Sequence, residues 1–176
     1  DGLLNAGVDV NGQWAGGKTA LMHICDWSYK SFKTGHAIRL LQALLARQPQ
    51  LDLRDWSGRT ALMLAAASEN VEAVQLLLDA GANVHVTASR GETALSMCAS
   101  NTPSSNSLSV IRMLITGGAN IHGRTGECHT LINILKDHTR YNKHGVDIVK
   151  FMISAGANIN VRDYADLTPL LRMLKD

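Results

Sequence analysis

Apolar residues recur along the chain at spacings of three and four, which places them on one stripe of a helix. The pattern occurs four times, with the same offsets before the residue that ends each segment. Each segment is therefore predicted to be an amphipathic helix with the same buried face. The four stripes are Ile38, Leu41, Leu44, Leu45; Val71, Val74, Leu77, Leu78; Leu108, Ile111, Leu114, Ile115; and Val146, Val149, Met152, Ile153.

A glycine follows three of these helices, at Gly81, Gly118 and Gly156, each time within Gly-Ala-Asn and an aliphatic residue. Glycine is a typical helix C-cap because it enters the left-handed conformation without a Cβ penalty. Gln48-Pro49 stands in its place after the first helix, so we expect an irregular junction there. Twelve residues after each cap comes a threonine, a preferred N-cap that predicts another helix: Thr60, Thr93, Thr130 and Thr168. Thr19 lies equally far from Gly7.

The resulting unit of a turn and two antiparallel helices is clearest in DWSGRTALMLAAASENVEAVQLLLDAGANV (55–84), which resembles the ankyrin repeat. Ala61 and Met63 stand where that family has Pro and His, and no repeat of the chain keeps the His. The resemblance extends over essentially the whole chain. It implies an all-α ankyrin-repeat solenoid of stacked helix-turn-helix units, with a row of hairpin-like turns, which we call fingers, beside the inner helices. The fourth repeat departs most, with Cys128 at the turn glycine and Lys136 at a usual Ala.

We predict a single ankyrin-repeat domain over 1–176, with four two-helix repeats and a partial repeat at each end. Terminal repeats of a stack need a polar outer face. Neither end supplies an obvious one, so we expect the chain to be part of a longer protein. The predicted boundaries are 1–13 for the end of a preceding repeat, 14–54 for the first repeat with an insertion between its helices, 55–87, 88–124 and 125–162 for the next three, and 163–176 for the start of a fifth.

The stretch GQWAGGKT (12–19) fits G-x-x-x-x-G-K-(S/T), the phosphate-binding P-loop. In the repeat register, however, Thr19 is a helix N-cap, and Gly17 is the same turn glycine as Gly58 and Gly91. A P-loop also follows a buried strand within a parallel sheet, and no alternation of strands and helices is predicted here. We interpret the match as a coincidence and expect no nucleotide and no other cofactor.

Cysteine and histidine are not arranged for metal binding or catalysis. Zinc ligands usually occur in pairs at C-x-x-C or H-x-x-x-H spacing, and the chain has neither. Cys25 and Cys98 fall at small, packed positions of the first helices and are predicted to be core thiols. Cys128 and His129 are adjacent on a turn, where nucleophile and base seldom come within reach. We predict a non-catalytic protein without a metal site.

Composition narrows the range of partners and compartments. The 176 residues include 17 basic and 15 acidic side chains, a balance that predicts neither nucleic acid nor an anionic membrane as partner. The longest apolar runs fall well short of the roughly 20 residues of a membrane span. Three widely separated cysteines argue against a disulfide framework. We therefore expect an intracellular protein, in the reducing cytoplasm or nucleus.

The function we predict is recognition of another protein by the rigid row of fingers. A pre-organised surface needs little ordering on association, and exposed aromatic residues beside arginine dominate interface energies. Two of the three tryptophans fall on adjacent fingers. The predicted finger contacts are Trp14, Lys18, Asp55, Trp56, Arg59, Arg90, Glu92 and Tyr164.

Two basic and aromatic insertions, WSYKSFKTGH (27–36) and KDHTRYNKH (136–144), form a second candidate surface at the far end of the stack. Such a composition suits an acidic partner, although we expect no nucleic acid. Other domains of the same polypeptide are further candidate partners. The predicted contacts of this surface are Tyr29, Lys30, Lys33, Arg140, Tyr141 and Lys143.

Two other functions remain open. In the first, Trp14 and Trp56 sandwich a nucleotide-like base or a methylated ammonium group by stacking and cation–π attraction, with Asp55 as the counter-charge. This reader requires the two rings to face each other across a cleft. In the second, the chain is a structural spacer in a longer repeat array, which predicts solvated and mobile tryptophan side chains.

Overall fold

The computed structural model of the chain describes residues 9–26, 36–101, 104–122, 124–125, 128–129, 143–163, 165–169 and 171. Within these ranges the chain forms the all-α solenoid that the sequence predicts, with seven α-helices and one hairpin of two-residue strands. The helices are α1 (Ala20–Cys25), α2 (His36–Leu45), α3 (Ala61–Ala67), α4 (Val71–Asp79), α5 (Ala94–Ala99), α6 (Ser105–Thr116) and α7 (Lys143–Ser154). The antiparallel strands are β1 (Arg124–Thr125) and β2 (Cys128–His129).

The helices pack in two rows. The inner row consists of α1, α3 and α5, the outer row of α2, α4, α6 and α7, and each inner helix contacts the outer helix that follows it. The core lies between the rows, where the central stripe residues Leu41, Leu77, Leu114 and Met152 are buried. Such a stack stabilises each repeat mainly through its direct neighbours.

The predicted stripe of α7 is buried only in part. Val146 and Ile153 are exposed, whereas their counterparts Val71 and Leu78 pack against the core. The reason is positional, since α7 is the last outer helix that the structure describes and no described helix covers its far side. None of the helices in the described ranges has the length and apolarity that crossing a membrane requires.

Threonine begins the inner helices, as the sequence predicts. The side-chain oxygens of Thr19, Thr60, Thr93 and Thr168 each accept a hydrogen bond from the backbone N–H three residues later, at 3.3, 3.4, 3.1 and 3.3 Å. Each bond satisfies one of the N–H groups that a helix start leaves unpaired. Thr130 lies outside the described residues. The boundaries between repeats stay a prediction.

The ends of the outer helices confirm the predicted glycine caps. Gly81, Gly118 and Gly156 have φ of +92°, +92° and +94°, and the next backbone N–H reaches back into the helix, as from Ala82 to Leu77 O at 2.9 Å. At the junction that we expected to be irregular, Gln48 takes the left-handed conformation of the glycines, with φ of +52°, and its N–H donates to Leu45 O at 2.9 Å as that of Gly81 does to Leu78 O.

A polar contact joins the second and third repeats at the end of the stack away from the fingers. The Glu69 carboxylate accepts hydrogen bonds from the hydroxyls of Ser104, at 2.5 Å, and Ser107, at 2.8 Å. Ser104 is the N-cap of α6. One carboxylate therefore ties the repeat that contains α4 to the first turn of the next outer helix.

Candidate functional site: the row of fingers

The first, second, third and fifth fingers are each a five-residue turn closed by its own backbone. The N–H of the first residue donates to the carbonyl of the fifth, and the N–H of the fourth donates to the carbonyl of the first. The closing distances are 3.1 Å in the first finger (14–18), 3.0 Å in the second (55–59), 2.8 Å in the third (88–92) and 3.1 Å in the fifth (163–167). The four turns therefore share one backbone geometry, whatever side chains they carry.

Neighbouring fingers are also joined through their backbones. The N–H of Trp56 donates to Gly16 O at 2.9 Å, and the N–H of Ser89 donates to Ser57 O at 3.0 Å. The approach is close enough that a Cβ on Gly58 would come within 2.8 Å of Ser89 N. The first three fingers thus form a continuous row in which the side chains of Trp56 and Ser89 play no part in the joining bonds.

Asp55 corrects the prediction of an exposed contact, because it lies beneath the second finger and is 5% exposed. Its Oδ1 accepts from the N–H groups of Ser57 (2.9 Å) and Arg59 (2.8 Å), and its Oδ2 accepts from Arg59 Nε at 2.8 Å. Burial alone would raise the pKa of this carboxyl, but the hydrogen bonds and charge of Arg59 outweigh burial and hold the pKa below its ordinary value. Asp55 therefore organises the finger, as Asp163 does in the fifth.

The cations of the first two fingers already have partners. Arg59 Nη2 lies 2.8 Å from Asp55 Oδ2, and the Arg59 side chain is 31% exposed. Lys18 forms an ion pair with Asp26, which follows α1. Both side chains are therefore held in ion pairs within the chain.

The two tryptophans differ in their surroundings. Trp56 is 84% exposed, the highest value among the large apolar side chains of the described residues. Trp14 is 49% exposed, and its ring stacks on His23 with centroids 5.4 Å apart and planes within 9°. A ligand held between the two tryptophans requires both rings to face one cleft. One face of the Trp14 ring is covered by His23, and within the described residues no ring contact joins Trp14 to Trp56.

A groove opens between the second and third fingers, with a volume of about 330 Å³. It brings together four of the predicted finger contacts and adds three residues that are not among those contacts. One of these is Met97, which lies four residues after Thr93 and therefore on the helix face next to the finger. Its side chain is half-buried. The lining residues are Trp56, Ser57, Arg59, Ser89, Arg90, Glu92 and Met97.

Among the predicted contacts of the second candidate surface, the structure describes one. Lys143 is exposed at the start of α7, and its role in binding stays a prediction. The other predicted contacts fall outside the described residues, namely Tyr29, Lys30, Lys33, Arg140 and Tyr141, together with Tyr164 of the fifth finger.

The residues of the P-loop match build the first finger. Gly17 donates its N–H to Trp14 O at 2.7 Å, Lys18 pairs with Asp26, and Thr19 caps α1.

The thiols of Cys25 and Cys98 are buried, as predicted. Burial, helped by the nearby charge of Asp26, raises the pKa of Cys25 to about 12. Burial and the charge of Glu69 likewise raise the pKa of Cys98, so neither thiol forms a nucleophilic thiolate at neutral pH.

Comparison with known protein families agrees with this architecture. A model described as ankyrin repeats in three copies matches residues 2–88 and 31–125. A model of a single ankyrin repeat matches residues 138–164. A search of curated proteins found no significant match.

Proposed function

The chain belongs to the ankyrin-repeat family, and from this premise we propose that its fingers bind a partner protein with Trp56 as the anchor. Ankyrin repeats are in general protein–protein interaction modules, and the family is typically non-catalytic. The proposal concerns which surface of this chain makes the contact and which side chain contributes most to it.

The 84% exposure of Trp56 is the observation that carries the proposal. Its backbone N–H holds the finger row together, but the turn itself does not need the indole. Covering an exposed indole of roughly 150 to 250 Å² contributes on the order of 4 kcal/mol of transfer free energy, from which the cost of association is subtracted. Tryptophan is also among the residues most enriched at the energetic centres of protein interfaces.

The rigidity of the second finger supports the same surface. The finger is closed by two backbone hydrogen bonds and braced from beneath by the Asp55 carboxylate. Its backbone therefore has little freedom left to lose when a partner binds, so more of the contact energy appears as affinity.

Affinity capture from a lysate of the source organism, read by mass spectrometry, tests the proposal. Wild type is compared with Trp56→Ala and with Leu40→Ala, which removes another exposed apolar side chain, on the outer helix α2. Circular dichroism verifies that all three proteins are folded. The expected result is a protein retained by wild type and by Leu40→Ala but lost with Trp56→Ala.

Equal capture by all three proteins would remove Trp56 from the interface and direct attention to Lys143 and the insertions. For direct placement, a photoreactive phenylalanine derivative introduced at position 56 should crosslink to the captured protein. The same derivative at position 40 should not.

A further inference from the structure

We infer that the groove between the second and third fingers binds a carboxylate side chain of the partner beside an apolar side chain that packs on Trp56 and Met97. This inference rests on the proposed function, and it adds the chemistry of the segment that the partner inserts. It is carried by the charges that line the groove, by the bonding of Arg59, and by the volume between the fingers.

The charges facing the groove favour an anion. Arg59, Arg90 and Glu92 line it. The Asp55 carboxylate balances the charge of Arg59 from beneath the finger, but its side chain is 1% exposed, so a ligand meets the guanidinium N–H donors of Arg59 and the charge of Arg90. A single carboxylate is therefore complementary to the groove.

Arg59 is already in position for such a carboxylate. Asp55 Oδ2 accepts from its Nε and lies 2.8 Å from its Nη2, which fixes the plane of the guanidinium group. Arginine has five N–H donors, so further donors remain for a ligand at the groove wall. Because the side chain is held in place before binding, a carboxylate there orders little that was free.

Arg90 supplies a second guanidinium that is not yet engaged. It is exposed on the third finger, and within the described residues no hydrogen bond or ion pair involves it. Arginine and carboxylate form short, charge-assisted hydrogen bonds and often pair through two of them at once. A carboxylate in the groove would therefore draw Arg90 onto it from the side opposite the second finger.

The groove has an apolar wall and room for a side chain. Trp56 forms its rim, and Met97 is half-buried on the inner helix α5. A volume of about 330 Å³ lies at the lower end of the range for small-molecule pockets. This space suits one or two side chains of a peptide segment and not a larger compact ligand.

Glu92 argues for a protein segment over a nucleic acid. A phosphate backbone carries closely spaced negative charges, and such a series would meet the Glu92 carboxylate in the groove. A single acidic side chain can bind on the arginine side and leave Glu92 in water.

Peptide selection with the whole 176-residue chain tests the inference. A library of random peptides displayed on phage is selected on the immobilised chain, and the enriched peptides are synthesised. We expect peptides with Asp or Glu next to an aliphatic or aromatic residue, and we expect Trp56→Ala to remove their binding. Arg90→Gln should weaken binding about tenfold, as for the loss of a charge-assisted hydrogen bond.

Three further comparisons sharpen the result. Arg39→Gln, on the outer helix α2, removes an exposed arginine outside the groove and should leave the affinity unchanged. Glu92→Gln should strengthen binding about threefold by removing a like charge. Replacing the acid of the peptide by its amide should weaken binding to wild type about tenfold, with little further effect in Arg90→Gln.

Each other outcome overturns the inference in a distinguishable way. Peptides that depend on Trp56 but lack an enriched acid would refute the carboxylate site and leave the proposed function standing. A selection without any Trp56-dependent peptide would count against both. A fluorescent single-stranded oligonucleotide of mixed sequence that competes with the peptides and requires Arg90 would replace the peptide by a nucleic acid.

Discussion

Trp56 rests on Gly17, the turn glycine of the preceding finger. A Cβ on Gly17 would come within 2.6 Å of Trp56 Cδ1 and 3.1 Å of Trp56 N. Gly17 also has φ of +74°, a region that residues with a side chain rarely adopt. The absence of a side chain at position 17 therefore sets both the turn of the first finger and the seat of the proposed anchor on the second.

Gly17→Ala should destabilise the chain more than Gly91→Ala does. Gly91 has the same place in its finger and φ of +77°, but no described atom lies within 4 Å of a Cβ built there. Left-handed strain should cost both variants about 1 kcal/mol, and the clash with Trp56 should add about 1 to 3 kcal/mol at Gly17. Urea denaturation measures the difference. Equal losses of stability in the two variants would show that the Trp56 ring moves aside without an energetic cost.

Asp55→Asn should lower the free energy of unfolding by about 2 kcal/mol, because the buried carboxylate accepts from Arg59 and from two backbone N–H groups. The matched control is Asp166→Asn, which breaks the exposed ion pair with Arg162, also four residues away in the sequence. This variant should change the free energy of unfolding little. Asparagine tolerates the left-handed conformation of Asp166. A similar loss in both variants would contradict the assigned role of Asp55.

Acid should weaken the same contact. The pKa of Asp55 is lowered in the folded chain, so its contribution to stability is fully present above the ordinary aspartate pKa of about 4. It is lost as the pH falls through the lowered value. Unfolding free energies measured between pH 7 and pH 2 should therefore fall less steeply for Asp55→Asn than for wild type, and parallel curves would contradict this.

Gln48→Gly should stabilise the chain. Gln48 is exposed and has φ of +52°, at the position where Gly81, Gly118 and Gly156 end the other outer helices. Relief of about 1 kcal/mol of strain exceeds the entropy that glycine adds to the unfolded chain, for a net gain of about 0.5 kcal/mol. Gln42→Gly, within α2, should instead cost about 1 kcal/mol. Thermal denaturation separates the two signs, and a loss at position 48 would refute the strain.

Cys25 and Cys98 should resist alkylation in the folded protein. They are 0% and 1% exposed, and their raised pKa values keep them as thiols at pH 8. Iodoacetamide labelling, located by peptide mass spectrometry, should modify both only after urea is added. Because unfolded thiols ionise near pH 8.5, stability should also decline as the pH rises above that value. Rapid labelling without denaturant would contradict the burial.

The sequence predicts this fold well because local rules repeat in it. Threonine caps, glycine ends and helical stripes each follow from a few neighbouring residues, and their recurrence confirms the register. The site is less predictable, since it depends on how each finger folds back on itself and against its own inner helix. The burial of Asp55, the stacking of Trp14 on His23 and the place of Met97 in the groove with Arg90 are three-dimensional contacts that the spacing of residues alone does not contain.

The hydrogen bonds from Trp56 N to Gly16 O and from Ser89 N to Ser57 O join the fingers through the backbone alone, so neither side chain is needed for them. Any residue other than proline supplies the same N–H. The side chains at positions 56 and 89 can therefore be replaced at little cost in stability. Natural or laboratory selection can thus change which partner the surface binds without altering the fold.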